Sequence, residues 1–300
     1  ACLFALTAGC SRSHGEELHT ASTPAEGFRA DADDIVATAF DLYRGQQKFT
    51  DLANRRRQAW EAGVEAGDPM AKHLMGMVHL IAPDGRRDLQ RATQLFGEAA
   101  ANGVPHAQVM IGEMIERERP EITMALYEKA AEQDFGWAQY KLGCAYGEGR
   151  LVTQDQRRAF ELILLSAQNG VTAGQTDVGA RYEYGKGTTI DKQEAFRWYQ
   201  RAAAQGDAIG LMCVGACQML GIGTPVDCEQ AERHLRQAAE LGEPLAKQYL
   251  SALLDRKAAY VKTLDTEARD YDPHDINTWA ADSQYRELEY RRRENAMFGR

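Results

Sequence analysis

Four cysteines in the body of the chain, Cys144, Cys213, Cys217 and Cys228, have the widest scope for chemistry. Thiols pair as disulfides or hold zinc, and each use demands its own spacing. Cys213 and Cys217 stand one helical turn apart, an awkward geometry for a mutual bridge. Either could bond to Cys228, and all three could equally serve as small buried hydrophobes, so both readings stay open. A zinc site is disfavoured because no His or fourth Cys sits at ligand spacing. His73 and His79 lie six apart, on two faces of one helix, and do not form a ligand pair. The one loose glycine-rich stretch, GIGTP at 221–225, matches GKGTT at 185–189 and reads as a turn, not a phosphate cradle. The HExxH, Walker, GxSxG and Ser-x-x-Lys patterns are absent. The expectation is a protein without catalysis, cofactor or metal.

Each of these residues falls on a recurring position. Small residues stand at Ala71, Ala107, Ala138, Gly174, Gly210 and Ala246, at intervals of 36, 31, 36, 36 and 36. Glycine follows five residues after the first five, at Gly76, Gly112, Gly143, Gly179 and Gly215. A fixed period in this range marks a solenoid, whose units stack only on their neighbours.

Residues 170–205 give the clearest copy. Gly174, Val178, Gly179 and Tyr182 form one stripe of a first helix over 172–184, and Gly185 and Gly187 permit the turn. Asp191 is placed to cap a second helix, with Glu194 three residues on completing a capping box. That helix turns Ala195, Tyr199, Ala202 and Ala203 inward, as Ala92, Phe96, Ala99 and Ala100 and then Ala231, Leu235, Ala238 and Ala239 do in other copies. Asp88, Asp155 and Asp227 repeat the cap. The copy from 103 is five residues short, and ERERPE replaces its glycine loop. His79 takes the slot of Tyr146 and Tyr182 and reads as a packing residue.

The expected organisation has five units at 67–102, 103–133, 134–169, 170–205 and 206–241. Residues 31–66 precede them as a degenerate unit with Trp60 in the large position, Tyr43 in the place of Tyr182, and Gly63 and Val64 replacing the alanine pair. Residues 242–257 supply a half-repeat, with Ala246 and Leu250 inward and Ser251 where glycine would stand. Residues 258–300 read as a charged helical tail interrupted by Pro273, with Trp279, Tyr285 and Leu288 on a sparse apolar edge. Residues 11–30, rich in Ser, Thr, Pro and charge, read as a flexible tether. The 300 residues are 44% hydrophobic and carry a net charge of −9, which argues against binding nucleic acid through its phosphates.

The stretches KLGCAYGEG at 141–149, DVGARYEYGKG at 177–187 and EAFRWYQRAAAQG at 194–206 resemble the Sel-one-like repeat, a relative of the tetratricopeptide repeat. The resemblance covers 67–257, and 31–66 more loosely; the loop glycines are missing in the units from 67 and 103. It implies an all-α fold, a right-handed α-solenoid of stacked antiparallel helix pairs. It also implies adaptor work, with a protein or peptide partner bound on the concave face. In related repeats the ligand-facing positions fall three, six, ten, thirteen and fourteen residues after the unit's start. They correspond here to Met70, His73 and Met77; His106, Val109 and Glu113; Trp137 and Tyr140; Thr176, Glu183 and Tyr184; and Ile209, Met212, Met219 and Leu220. Burial of this row as core between units is the competing reading. Family members include envelope lipoproteins tied to polysaccharide export and proteins that neutralise toxic effectors. A cell-wall hydrolase of the β-lactamase type is the outside alternative.

Residues 1–10, ACLFALTAGC, are apolar, and Leu6-Thr7-Ala8-Gly9-Cys10 resembles the bacterial lipobox. There the Cys is acylated after the preceding segment is removed, which implies lipidation at Cys10. In that pattern Ser11, being other than Asp, implies outer-membrane sorting. The expected location is the periplasm, with the membrane met only through this lipid; a soluble secreted or periplasmic protein is the alternative.

Overall fold

The computed structural model describes residues 24–38, 42–82, 85 and 87–269. Among them the regular structure is entirely α-helical. Two helices lead, α1 (Pro24–Thr38) and α2 (Leu42–Glu65). Five pairs follow: α3 (Pro69–Ile81) with α4 (Leu89–Ala101), α5 (Pro105–Ile115) with α6 (Pro120–Ala131), and α7 (Gly136–Glu148) with α8 (Gln156–Gln168). The last two pairs are α9 (Thr172–Tyr184) with α10 (Lys192–Ala204) and α11 (Ala208–Leu220) with α12 (Cys228–Glu240), and α13 (Pro244–Arg269) closes the stack. Each helix packs on its chain neighbours, giving an all-α repeat superhelix.

One device holds every pair together. Phe96, Tyr127, Ile163, Tyr199 and Leu235 project from the second helices and are 0–3% exposed. Opposite them stand Gly76, Gly112, Gly143, Gly179 and Gly215, where an added Cβ would lie less than 3 Å from those side chains. Glycine makes the space and the large residue fills it, so neither can change alone without a void or a clash.

Four of the five second helices begin alike, whereas α6 starts after Arg119 with no side-chain cap. Asp88, Asp155, Asp191 and Asp227 each accept the N–H three residues on, at 2.9 Å. Their own backbone N–H groups donate nine residues back, to the carbonyls of His79, Tyr146, Tyr182 and Gln218 at 2.8–3.1 Å. This corrects the expected capping box: Tyr182 takes the Asp191 N–H, and Glu194 pairs instead with Arg197. The cap thereby ties the start of the second helix to the end of the first.

The loops differ. Gly149, Gly185 and Gly221 end their first helices in the left-handed conformation. In the unit from 67 that place falls to Ala82, held at φ 51°. In the unit from 103 the helix passes into a short turn, and Thr123 Oγ1 donates to the Gly112 carbonyl at 3.1 Å. The deletion thus shortens the loop and spares the crossing.

The ends depart from the expected boundaries. Helix α1 starts at Pro24, so residues 24–30 are not tether; Phe28 is buried, and Asp31 accepts from Trp60 Nε1 at 2.8 Å and Arg56 Nε at 3.0 Å. Trp60 is fully buried, and a Cβ on Gly63 would collide with Ala71 and Phe28, so α2 packs closely on α3. At the other end α13 runs unbroken past 257 to Arg269, and its Leu253 joins Ala246 and Leu235 in the core. No described helix is long and apolar enough to cross a membrane. The lipobox with Cys10, most of the tether, the Tyr43 side chain, and Pro273, Trp279, Tyr285 and Leu288 lie outside the described residues.

Candidate partner-binding face

First helices approach one another more closely than second helices do. Helix α5 touches α7, and α9 touches α11, with no comparable contact between successive second helices. The stack therefore curves with its first helices inside, and they carry the inner face.

The sequence-derived row divides in two. Tyr184, Leu220 and Ile209 are 63%, 53% and 48% exposed. Met70, Glu113, Trp137, Tyr140, Thr176, Glu183 and Met219 are half-buried. His73, Met77, His106, Val109 and Met212 are core residues, which corrects their assignment to the surface. Met77 packs in a cluster with Leu74 and Phe96, Val109 with Met124 and Tyr127, and Met212 with Leu211 and Leu235. The histidine rings lie between Phe96 and Phe135. A tight turn between neighbouring units closes these positions to a partner's side chains.

The open part runs from α7 through α9 to α11. Trp137 and Tyr140 stack at 5.1 Å and 19°, and Lys141 Nζ lies 4.8 Å over the Trp137 ring while pairing with Glu113 at 2.6 Å. A turn further along, Tyr199 donates to Glu183 at 2.9 Å. Thr176 spends its hydroxyl on the carbonyls of Thr172 and Ala173. The result is an aromatic shelf with a charged pair at its edge, suited to bind a chain segment by area.

Sequence reasoning missed two features. Arg181 is buried, with Nε 3.2 Å from Asp177 Oδ1 and a terminal nitrogen 3.4 Å from Gln156 Oε1. Gly147 makes room for its guanidinium, and burial raises the Asp177 pKa although Arg181 pulls it down. Glycine at 147, where the next unit has Glu183, was the available signal. The second is a cleft of about 390 Å³ between α5, α7 and α9, lined by Arg29, His106, Phe135, Trp137, Asn169 and Gln205 among others. Its floor is a ladder of amides: Asn169 donates to Gln139, and Gln205 to Gln175, at 2.9 Å each. The 36-residue spacing of 133, 169 and 205 could have disclosed it.

The thiols are quiet. Cys144, Cys213, Cys217 and Cys228 are free. Burial pushes Cys144 up to about 11 and Cys213 and Cys217 up to about 12, so at neutral pH they are protonated and poor nucleophiles. Among the described residues no three His, Cys, Asp or Glu side chains could hold a metal ion.

Comparison with known proteins bears on this architecture. A family model described as Sel1 repeat matches residues 69–104, 105–135, 138–171, 172–207 and 211–243. A Sel1 repeat protein from Oxalobacter formigenes is similar at 22% identity and a TM-score of 0.60, over 73% of this chain and 88% of that one. The uropathogenic Escherichia coli protein c5321, a protective antigen displaying an SLR fold, is similar at 23% identity and a TM-score of 0.59. That match covers 79% of this chain and spans about half, 53%, of the antigen's structure. Identities this low speak for the fold alone. No curated protein matches the chain.

Proposed function

The chain belongs to the Sel1 repeat family, and from that membership we propose that it is a non-catalytic adaptor of the bacterial cell envelope. It binds a protein or peptide along the inner face of its solenoid, as Sel1 repeat proteins generally mediate protein–protein interaction. One observation carries this reading: the Trp137–Tyr140 shelf, Tyr184, Ile209 and Leu220 stay accessible on a face whose other large apolar residues are mostly packed away. Aromatic and aliphatic groups left open on a concave surface supply binding area that a solvated face does not need. In this proposal an acylated Cys10 holds the protein at the outer membrane.

The test is recovery of partners from envelope extract by the wild type and by a Trp137→Ala, Tyr140→Ala variant. The variant is expected to lose at least one partner that the wild type retains. Equal recovery of every partner by both would sink the inner-face reading, and capture of a toxic effector would redirect it to immunity. Palmitate labelling that Cys10→Ala abolishes supports the anchor; labelling that survives the substitution refutes it.

A further inference from the structure

The cleft of about 390 Å³ between α5, α7 and α9 falls in the size class of ligand sites. Three side-chain amides line it, Gln133, Asn169 and Gln205, each the last residue of its unit. Each donates inward to a glutamine: Gln133 to Gln108 at 3.3 Å, Asn169 to Gln139 at 2.9 Å and Gln205 to Gln175 at 2.9 Å. Those inner glutamines are buried, and Gln108 and Gln175 are themselves tied to the Ala100 and Ala167 carbonyls at 3.4 and 3.2 Å. Gln133 and Asn169 also donate to the carbonyls of Lys129 and Asp134, both at 3.2 Å. The amide nitrogens are thus spent on the protein. The side-chain oxygens of Gln133, Asn169 and Gln205 accept nothing from the described residues and are left to meet a donor that enters the cleft.

These rungs are confined to three units. In the unit from 67 the matching positions hold Lys72 and Asn102, which both turn to Glu98. In the unit from 206 they hold Leu211 and Leu241. Units stack without the rung, so stacking does not explain it.

Charge does not select the ligand either. The lining carries one arginine and one aspartate, Arg29 and Asp134, whose formal charges cancel. Apolar side chains stand two residues beyond two of the rungs, Phe135 after Gln133 and Val171 after Asn169. Acceptors that alternate with apolar walls suit an extended polypeptide, which turns an N–H to the same side at every second residue. We propose that the cleft holds an extended polypeptide segment by its main chain: the rung oxygens accept its N–H groups, and Phe135 and Val171 flank its side chains. This rests on the adaptor reading and deepens it, since the partner then offers a stretched chain and not a folded surface.

The test selects peptides from a displayed random library on the full chain and counter-selects them on a Gln175→Leu, Gln205→Leu variant. That variant copies the leucines of the next unit and removes both halves of one rung, so no buried amide is orphaned. A selected peptide should bind the variant roughly tenfold more weakly. Single N-methyl groups walked along the peptide should weaken binding at every second residue and spare the residues between. Failure to select any discriminating peptide, or N-methyl losses without that alternation, overturns the proposal. Should the variant fail to fold, Thr172→Arg, which crowds the cleft without touching a rung, replaces it in the counter-selection, with the same outcomes. The two readings fail separately. Envelope partners that Trp137→Ala, Tyr140→Ala loses and the rung variant keeps at full affinity leave the adaptor standing and strike the main-chain reading.

Discussion

The front of the solenoid, α3 to α6, and its rear, α7 to α12, share one crossing but differ in loops and inner face. In front, His73, Met77, His106 and Val109 close the inner row, and neither loop ends its first helix on a left-handed glycine. At the rear, Tyr184, Ile209 and Leu220 remain open, and Gly149, Gly185 and Gly221 end the first helices. The crossing of glycine against a large side chain persists throughout. Stacking is therefore a property of the crossing alone, and loop and inner row vary without disturbing it.

The largest effect is expected where the rear loops dock on the preceding unit. Gly187, at φ 77°, sits so close to the Gln156 carbonyl that a Cβ would fall on its oxygen, and Gly223 relates to Lys192 in the same way. Gly187→Ala combines that clash with a left-handed backbone and should cost about 3–5 kcal/mol in urea unfolding. A loss within error would mean that the rear loops do not brace the stack.

Overpacking the crossing should make front and rear respond alike. Ala99 and Ala202 are both fully buried. Ala99→Leu and Ala202→Leu should each lower stability by about 1–3 kcal/mol. A large cost at one and none at the other would break the claim of a uniform crossing.

The smallest effect runs the other way. Ala82 occupies the left-handed position that glycine holds at the rear. Ala82→Gly relieves that strain, less the extra freedom glycine gives the unfolded chain, and should stabilise by about 0.5–1 kcal/mol. A fall in the unfolding midpoint would show that the front loop does not share the rear geometry.

The crossing was legible in sequence because it rests on residue size at fixed spacing, as in Gly179 with Tyr199. The Asp caps were legible for a similar reason, but the partner of the Asp191 N–H was not, since the Tyr182 carbonyl that takes it lies on another helix. The end of α13 was missed because the repeat register that marks the earlier boundaries stops at 257, while the helix runs on to Arg269. Exposure along the inner row was the least legible. His106 and Trp137 hold the same repeat position, yet His106 is buried against Phe135 while Trp137 stays half-open beside Tyr140. The neighbouring unit decides that, since Phe135 covers His106, and what a neighbour brings is not written in any one unit.

Photo-crosslinking from single positions tests the central claim, that the open rear of the inner face takes the partner. A benzophenone amino acid would replace Tyr140 or Tyr184 on the inner face, or Arg197 on the exposed side of α10. The account predicts a shared crosslinked partner from Tyr140 and Tyr184 and none from Arg197. The same partner captured from Arg197, with nothing from the two inner positions, would contradict it.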